Sequence, residues 1–283
     1  DMSAAIRTLD YDGTFVYLHD GRLEAMRIIH QVDGGVEKER LVSLTGSPRE
    51  VLRDNKAVTC IMPDSRSVMV GQSRQPQRFH AVPGDLNTLS QHYRLEVLGD
   101  DRIAGQMARV VAIMPRDAYR YGYRFWIDKD SKMLLKSDLT GVDGKAIEQV
   151  MFTRLGVGQN IAGADLEPSL SGNEFNWYRQ SGSRPQVAAG SAMPGWEVQT
   201  RPGGFRMTDY QQRRMRPDSA GAEHLVFSDG LATVSVYVES AAGDSETFGG
   251  LSSMGAVHAF GTRADGYQIT VVGEVPAVTV EMM

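Results

Sequence analysis

Thr14-Phe15-Val16-Tyr17-Leu18 runs into His19-Asp20-Gly21 and is answered by Ala25-Met26-Arg27-Ile28-Ile29. Both runs alternate side chains at the two-residue period of a strand, and Asp-Gly suits the positive φ angles of a tight hairpin turn. Asp-Gly recurs at 12–13, 20–21, 33–34, 143–144, 229–230 and 265–266, mostly beside similar alternation. The chain therefore reads as a meander of antiparallel strands.

Working outward, Glu39 to Leu44 follows as a strand, then Val51 to Arg53 and Ala57 to Met62 as hairpin arms around Asp54-Asn55-Lys56. Ser47-Pro48-Arg49-Glu50 imitates a helix capping box, but those arms rule the helix out. Further strands are expected at Tyr93 to Leu98, Ala108 to Met114, Tyr121 to Asp128, Met133 to Leu139 and Ile147 to Leu155. Two short helices accompany them: Met2 to Leu9, with apolar residues at helical spacing, and a piece over Pro83 to Leu89 with Asp85 as cap. Composition shifts after Gly163, and Ser181 to Gly190 has linker chemistry. From about residue 192 strands resume, clearest at His224 to Ser228, Leu231 to Glu239, Gly255 to Arg263 and Tyr267 to Gly273. Pro276 then starts a helix that Met283 cuts short. The expected organisation is α+β, mainly antiparallel: a first domain over 1–165, a linker over 166–191 and a second domain over 192–283.

Composition narrows the function classes. The chain has 283 residues, 41% hydrophobic and 23% charged, with net charge −5 and pI near 5.7. An acidic chain has little non-specific grip on nucleic acid or anionic membrane. No run approaches the roughly 20 apolar residues that a membrane helix needs. Asp1-Met2-Ser3 lacks the character of a leader, so any export signal has been removed or was never there. The single cysteine, Cys60, cannot pair within the chain and sits in the strand-like run Val58 to Met62, where a buried, inert thiol is expected.

Catalytic patterns fail one by one. Gly156-Val157-Gly158 opens like a dinucleotide fingerprint, but Gly163 comes two positions late. Gly250 to Gly255 is one residue too long for a nucleophile elbow. Asp128-Lys129-Asp130 lacks the glycine and glutamate of a calcium loop. The six histidines never fall within four residues of one another, so no local metal clip exists. No enzyme, metal or cofactor is indicated.

A strongly apolar sheet face is the positive signal. Alternation puts Phe15, Tyr17, Met26, Ile28, Val42, Leu44, Tyr93, Leu95, Val97, Val110, Met114, Tyr123, Phe125 and Ile127 on one side, with charged neighbours opposite. Two short helices are little cover for it. The face is either an ordinary core or a cleft suited to an acyl chain. A second candidate is the basic run Arg201, Arg206, Arg213, Arg214 and Arg216, in a stretch with little structural signal. Its last four members are candidate contacts for polar or anionic ligands, and a solvated loop explains them equally well.

Tyr11 to Tyr17, Arg120 to Asp128, Ser228 to Leu231 and Ile269 to Pro276 together, in this order, resemble the RseB/MucB family over nearly the whole chain. The resemblance implies a periplasmic protein with a LolA/LolB-like half-barrel whose cavity is plugged by helices. It also implies a smaller sheet-and-helix domain beyond a flexible linker. Its implied role is negative regulation of sigma-factor envelope-stress signalling. The protein would bind the periplasmic region of a membrane-bound anti-sigma factor (MucA or RseA type), shield it from site-1 proteolysis and be released by lipid or lipopolysaccharide acyl chains. A homodimer is compatible with it, and no catalytic residues transfer. The alternative readings are a periplasmic carrier of lipid or lipoprotein and an envelope hydrolase, which a clustered His and carboxylate group inside the cavity would revive.

Overall fold

The computed structural model describes residues 1–73, 86–169, 174–179, 195–213, 222–241 and 248–283. The first elements are α1 (Met2–Thr8), β1 (Tyr11–His19), β2 (Arg22–Asp33), β3 (Val36–Ser43), β4 (Glu50–Arg53), β5 (Ala57–Met62) and β6 (Ser67–Gln72). After α2 (Leu86–His92) come β7 (Tyr93–Ile103), β8 (Gln106–Pro115), β9 (Gly122–Asp128), β10 (Leu134–Thr140), β11 (Ala146–Val157) and β12 (Asn176–Arg179). These twelve strands form one sheet in the order β12-β6-β5-β4-β3-β2-β1-β11-β10-β9-β8-β7. Every pairing is antiparallel except that of β12 with β6.

The first hairpin turns at Asp20 and Gly21, with φ of 48° and 68°, as its sequence requires. Asp12-Gly13 is not a turn but the interior of β1. Glycine is needed there because a Cβ would stand 2.6 Å from the Phe152 ring. The sheet curls. Gln106, at the start of β8, donates its side-chain N–H to the Leu155 carbonyl of β11 at 2.9 Å. Three strand spacings in a flat sheet would hold those strands about 14 Å apart. The result is a half-open barrel with β7 and β12 as its edges.

Helix α1, capped by the Asp1 carboxylate on the Ala4 N–H at 2.8 Å, buries Met2, Ala5 and Ile6 in the core with Tyr11, Phe15 and Met26. Leu89 of α2 joins them, whereas the expected cap Asp85 lies outside the described residues. On the other face Ile29 packs with Ile161 and Leu166, the latter from a 3-10 turn over Gly163–Leu166. The buried Arg40–Glu50 pair, 3.1 Å apart, helps to strap this segment down, since Arg40 also donates to the Asp165 carbonyl and Glu50 accepts from Ser169. The stretch expected as a linker thus contains Leu166, Ser169 and β12, all attached to the first sheet. Ser181 to Gly190 lies outside the described residues.

The second sheet comprises β13 (Arg206–Arg213), β14 (Ala222–Ser228), β15 (Thr233–Ser240), β16 (Gly250–Met254), β17 (Val257–Ala264) and β18 (Tyr267–Gly273). Its order is β13-β14-β15-β18-β17-β16, antiparallel throughout. Leu225, Phe227, Val234, Val236, Val238 and Val271 face inward and pack with Val280 of α3 (Ala277–Met282), the helix that follows Pro276. The structure thus has the expected class: a large, mainly antiparallel sheet with few helices and a smaller sheet-and-helix unit.

Candidate functional site

In antiparallel pairs, directly opposed residues point to the same face, so register decides what alternation alone leaves open. Val97 opposes Val111, Val111 opposes Phe125, Phe125 opposes Ser137, and Ser137 opposes Val150. Val150 opposes Tyr17, Phe15 opposes Met26, and Ile28 opposes Leu41. Phe15, Tyr17, Met26, Ile28, Tyr93, Leu95, Val97, Tyr123, Phe125 and Ile127 therefore share the α1 face. Four expected members do not. Val42 opposes Arg27, Val110 opposes Trp126, Met114 opposes Arg94, and Leu44 lies beyond the end of β3. Strands β3 and β8 carry apolar residues at both parities, so their pattern is ambiguous. Leu41, Val111 and Ile113 occupy the positions given to Val42, Val110 and Met114.

Burial divides this face. Phe15, Met26, Ile28, Tyr93, Tyr123 and Phe125 belong to a filled core, with Tyr17 and Ile127 packed against it. At the β7 edge, Leu95 is 39% and Val97 62% exposed. The middle of the face is packed and its β7 rim is open.

Part of the cover comes from the second domain. Ala256, in the β16–β17 turn, is fully buried within the first domain's core, and Leu231 packs against the same cluster. Fully buried Arg120, in the β8–β9 connection, anchors this docking. Its guanidinium donates to the Asp229 carboxylate at 2.7 Å, the Gly203 carbonyl at 2.6 Å and Asp117 at 3.1 Å. The cation also lies over the rings of Tyr93 (5.5 Å) and Phe205 (5.2 Å). Asp229 further accepts from the Tyr93 hydroxyl (2.9 Å) and from the Leu231 and Ala232 N–H groups. At another point Thr279 donates to the Tyr119 carbonyl at 2.6 Å. Gly204, at φ 90°, lies where a Cβ would stand 2.4 Å from the His92 ring.

A second polar group joins the domains. The Tyr17 hydroxyl donates to Glu148 at 2.6 Å, and the Ala256 N–H points at the same carboxylate from 3.4 Å. Burial, and then the Glu148 charge, push the Glu274 carboxyl up to about 7. Burial pushes the Tyr121 phenol up to about 12, with Glu274 and Glu148 adding to the shift. Burial and Asp229 raise that of Tyr93. Cys60 is half-buried rather than buried as expected, and the burial it has raises its thiol, which favours the unreactive form.

The basic run is placed only in part. Arg206 is exposed on β13, in a stretch expected to be poorly structured, and Arg201 donates to the Val198 carbonyl at 3.1 Å. The Arg213 side chain, Arg214 and Arg216 lie outside the described residues. A cavity of about 420 Å³ beside the β2–β3 turn is lined by Arg7, Val32, Glu37, Glu39, Arg53 and Asp54 among others, and so many charged side chains do not suit an acyl-chain receptacle. Among the described residues no group of three or more His, Cys, Asp or Glu side chains is placed to hold a metal ion.

Residues 1–170 match the family model for the MucB/RseB N-terminal domain and residues 191–283 that for the C-terminal domain. The chain is 32% identical to the sigma factor AlgU regulatory protein MucB of Pseudomonas aeruginosa, over 99% of this chain and 86% of that protein. It is 26% identical to the sigma-E factor regulatory protein RseB of Escherichia coli K12, over 98% and 85%. Among solved structures, the P. aeruginosa MucA/MucB complex superposes with a TM-score of 0.73 at 29% identity, covering 99% of this chain and 93% of that one. A crystal structure of MucB gives 0.62 at 30% identity, covering 99% and 92%. With both domain models matched in order and a relative above 30% identity over 99% of this chain, the chain belongs to the MucB/RseB family.

Proposed function

We propose that this protein is a non-enzymatic periplasmic regulator. It binds the periplasmic region of a membrane-bound anti-sigma factor, shields it from site-1 proteolysis and lets go when an acyl chain of lipid or lipopolysaccharide binds. The observation that carries the reading is the likeness over 99% of the chain to the MucB component of a solved MucA/MucB complex. A carrier role gives the second domain no part, yet Ala256 of that domain is buried in the first domain's core. Calorimetric titration with the periplasmic segment of an anti-sigma factor tests the binding step. A dissociation constant of about 1 μM or tighter is expected. Absence of heat and of co-elution would overturn the reading. Protection is tested by adding the site-1 protease to the preformed complex.

The lipid step rests on the open β7 rim. A tenfold release of the partner needs about 1.4 kcal/mol of coupling. Two or three more methylenes buried in one state, at about 0.8 kcal/mol each, supply it. Leu95 and Val97 are exposed, so charge is tolerated there by the fold, unlike at Phe125 in the core. Leu95→Glu with Val97→Glu should leave partner affinity within about twofold and raise the lipid concentration needed for release about tenfold. An unchanged release curve would place the acyl chain elsewhere.

A further inference from the structure

We propose that the polar cavity beside the β2–β3 turn is a binding site for a small zwitterion, an amino acid or short peptide with both its ammonium and its carboxylate free. The cavity, about 420 Å³, falls at the small end of ligand pockets, which run from about 300 to 1,000 Å³. Its wall includes Arg7 at the end of α1, Glu37 and Glu39 on β3, and Arg53 and Asp54 at the end of β4. Register places the site. Tyr11 opposes His30, His30 opposes Glu39, and Glu39 opposes Arg53, so these four share the α1 face. The cavity thus belongs to the inner side of the half-barrel, on its β3–β4 side and away from the β7 rim.

Arg53 is the group that calls for a ligand. Its Nε and Nη1 are buried and have no hydrogen-bond partner, although Glu39 stands directly opposite in register. Arg40 and Arg120, the buried arginines described above, each hold a carboxylate. A buried cation whose N–H groups lack acceptors is costly, and a carboxylate seated against it supplies what is missing. Burial lowers the Arg53 guanidinium from the ordinary arginine range, and the Glu37 charge offsets this only in part.

The rest of the wall says what accompanies that carboxylate. Arg7 donates to the Ser3 carbonyl at 3.1 Å, His30 Nε2 meets Glu37 at 3.1 Å, and Asp54 accepts from the Lys56 and Ala57 N–H groups. Glu37, Glu39 and Asp54 still set three carboxylates against the two guanidiniums of Arg7 and Arg53. A phosphate dianion or a lone carboxylate would meet that excess of like charge, whereas an ammonium on the same ligand offsets it. The mouth is held ready. Asn55 accepts from the Glu37 N–H at 2.9 Å and donates to the Gly35 carbonyl at 3.1 Å, which ties the β4–β5 turn to the β2–β3 turn.

Four peptides that differ only in terminal charge test this on the full chain: triglycine, N-acetyl-triglycine, triglycine amide and N-acetyl-triglycine amide. Triglycine should bind with a dissociation constant of about 1 mM or tighter, and each capped form about tenfold or more weakly. In nitrogen-15 NMR the Arg53 Nε–H resonance should move with triglycine alone. Arg53→Met should weaken triglycine binding about tenfold or more, with Tm unchanged or raised, because an unsatisfied buried cation leaves with the guanidinium. Should that variant fail to fold, the wild-type resonance still decides. The probes carry no acyl chain, so Leu95→Glu with Val97→Glu should leave triglycine binding unchanged, which separates this site from the lipid step. No binding at about 10 mM triglycine, a capped peptide binding as tightly, or an Arg53 resonance that stays in place at saturation would each overturn the proposal. So would full binding by a folded Arg53→Met.

Discussion

Replacing Asp229 with alanine should destabilise the protein by about 3–5 kcal/mol, the range for removing one partner of a buried ion pair. Neither Arg120 nor Asp229 has exposed side-chain surface. Without the carboxylate, the guanidinium stays between Tyr93 and Phe205 with one backbone carbonyl and the partly exposed Asp117 as remaining partners. The Tyr93 hydroxyl and two backbone N–H groups lose their acceptor as well. Because these atoms join two sheets, calorimetry should show more than a lower midpoint. A single transition should split, with the domains melting separately. The double substitution Arg120→Met with Asp229→Leu removes both charges at once. It should recover at least half of the loss, since exchanging a buried pair for apolar groups of similar volume is often neutral. A double variant no better than Asp229→Ala would show that the charges are not what the docking depends on.

This contact was invisible in the sequence, and the reason is general. Asp229-Gly230 carries the signature of a turn, and the turn is there: Gly230 sits at φ 103° and Asp229 accepts from the backbone of Leu231 and Ala232. That the second carboxylate oxygen reaches an arginine 109 positions away leaves no local trace. What was legible is local. The β1–β2 hairpin, the run from β7 to β11 and helices α1 and α3 all follow from alternation, turn residues and helical spacing. Strands β6, β12, β13 and β16 escaped for lack of such marks. β12 is four residues long and exposed throughout, β16 is Gly-Leu-Ser-Ser-Met, and β13 begins within the arginine run that suggested a loop. The apolar face was legible as a surplus, since ten of its fourteen expected members do share one side. Its partial filling and its borrowed cover depend on register and on distant residues. The puzzle of too few helices is answered by Ala256 and Leu231, from a domain whose sequence reads as independent.

Substituting Ala256 with tryptophan should move the second domain off the first. Ala256 has no exposed surface, and its neighbours include the core that holds Phe15 and Tyr123. An indole does not fit there, and overpacking a filled core costs about 1–3 kcal/mol. The residue lies in the β16–β17 turn, at the boundary of its own domain, so undocking relieves the clash without unfolding either sheet. The apolar face beneath would then meet water, and an apolar dye should bind with fluorescence several-fold above the wild type. The radius of gyration should rise while strand content stays constant. An acyl chain that enters at the β7 rim and extends onto the face uncovered by undocking would gain further apolar contact, so this variant should bind lipid at about tenfold lower concentration. That shift equals about 1.4 kcal/mol of further contact open to the ligand. A ligand with equal affinity for the docked and undocked forms would shift nothing. If Ala256→Trp opens the chain yet binds lipid and partner as the wild type does, docking and ligand binding are independent. The second domain would then be a cover for the core, without a part in the switch.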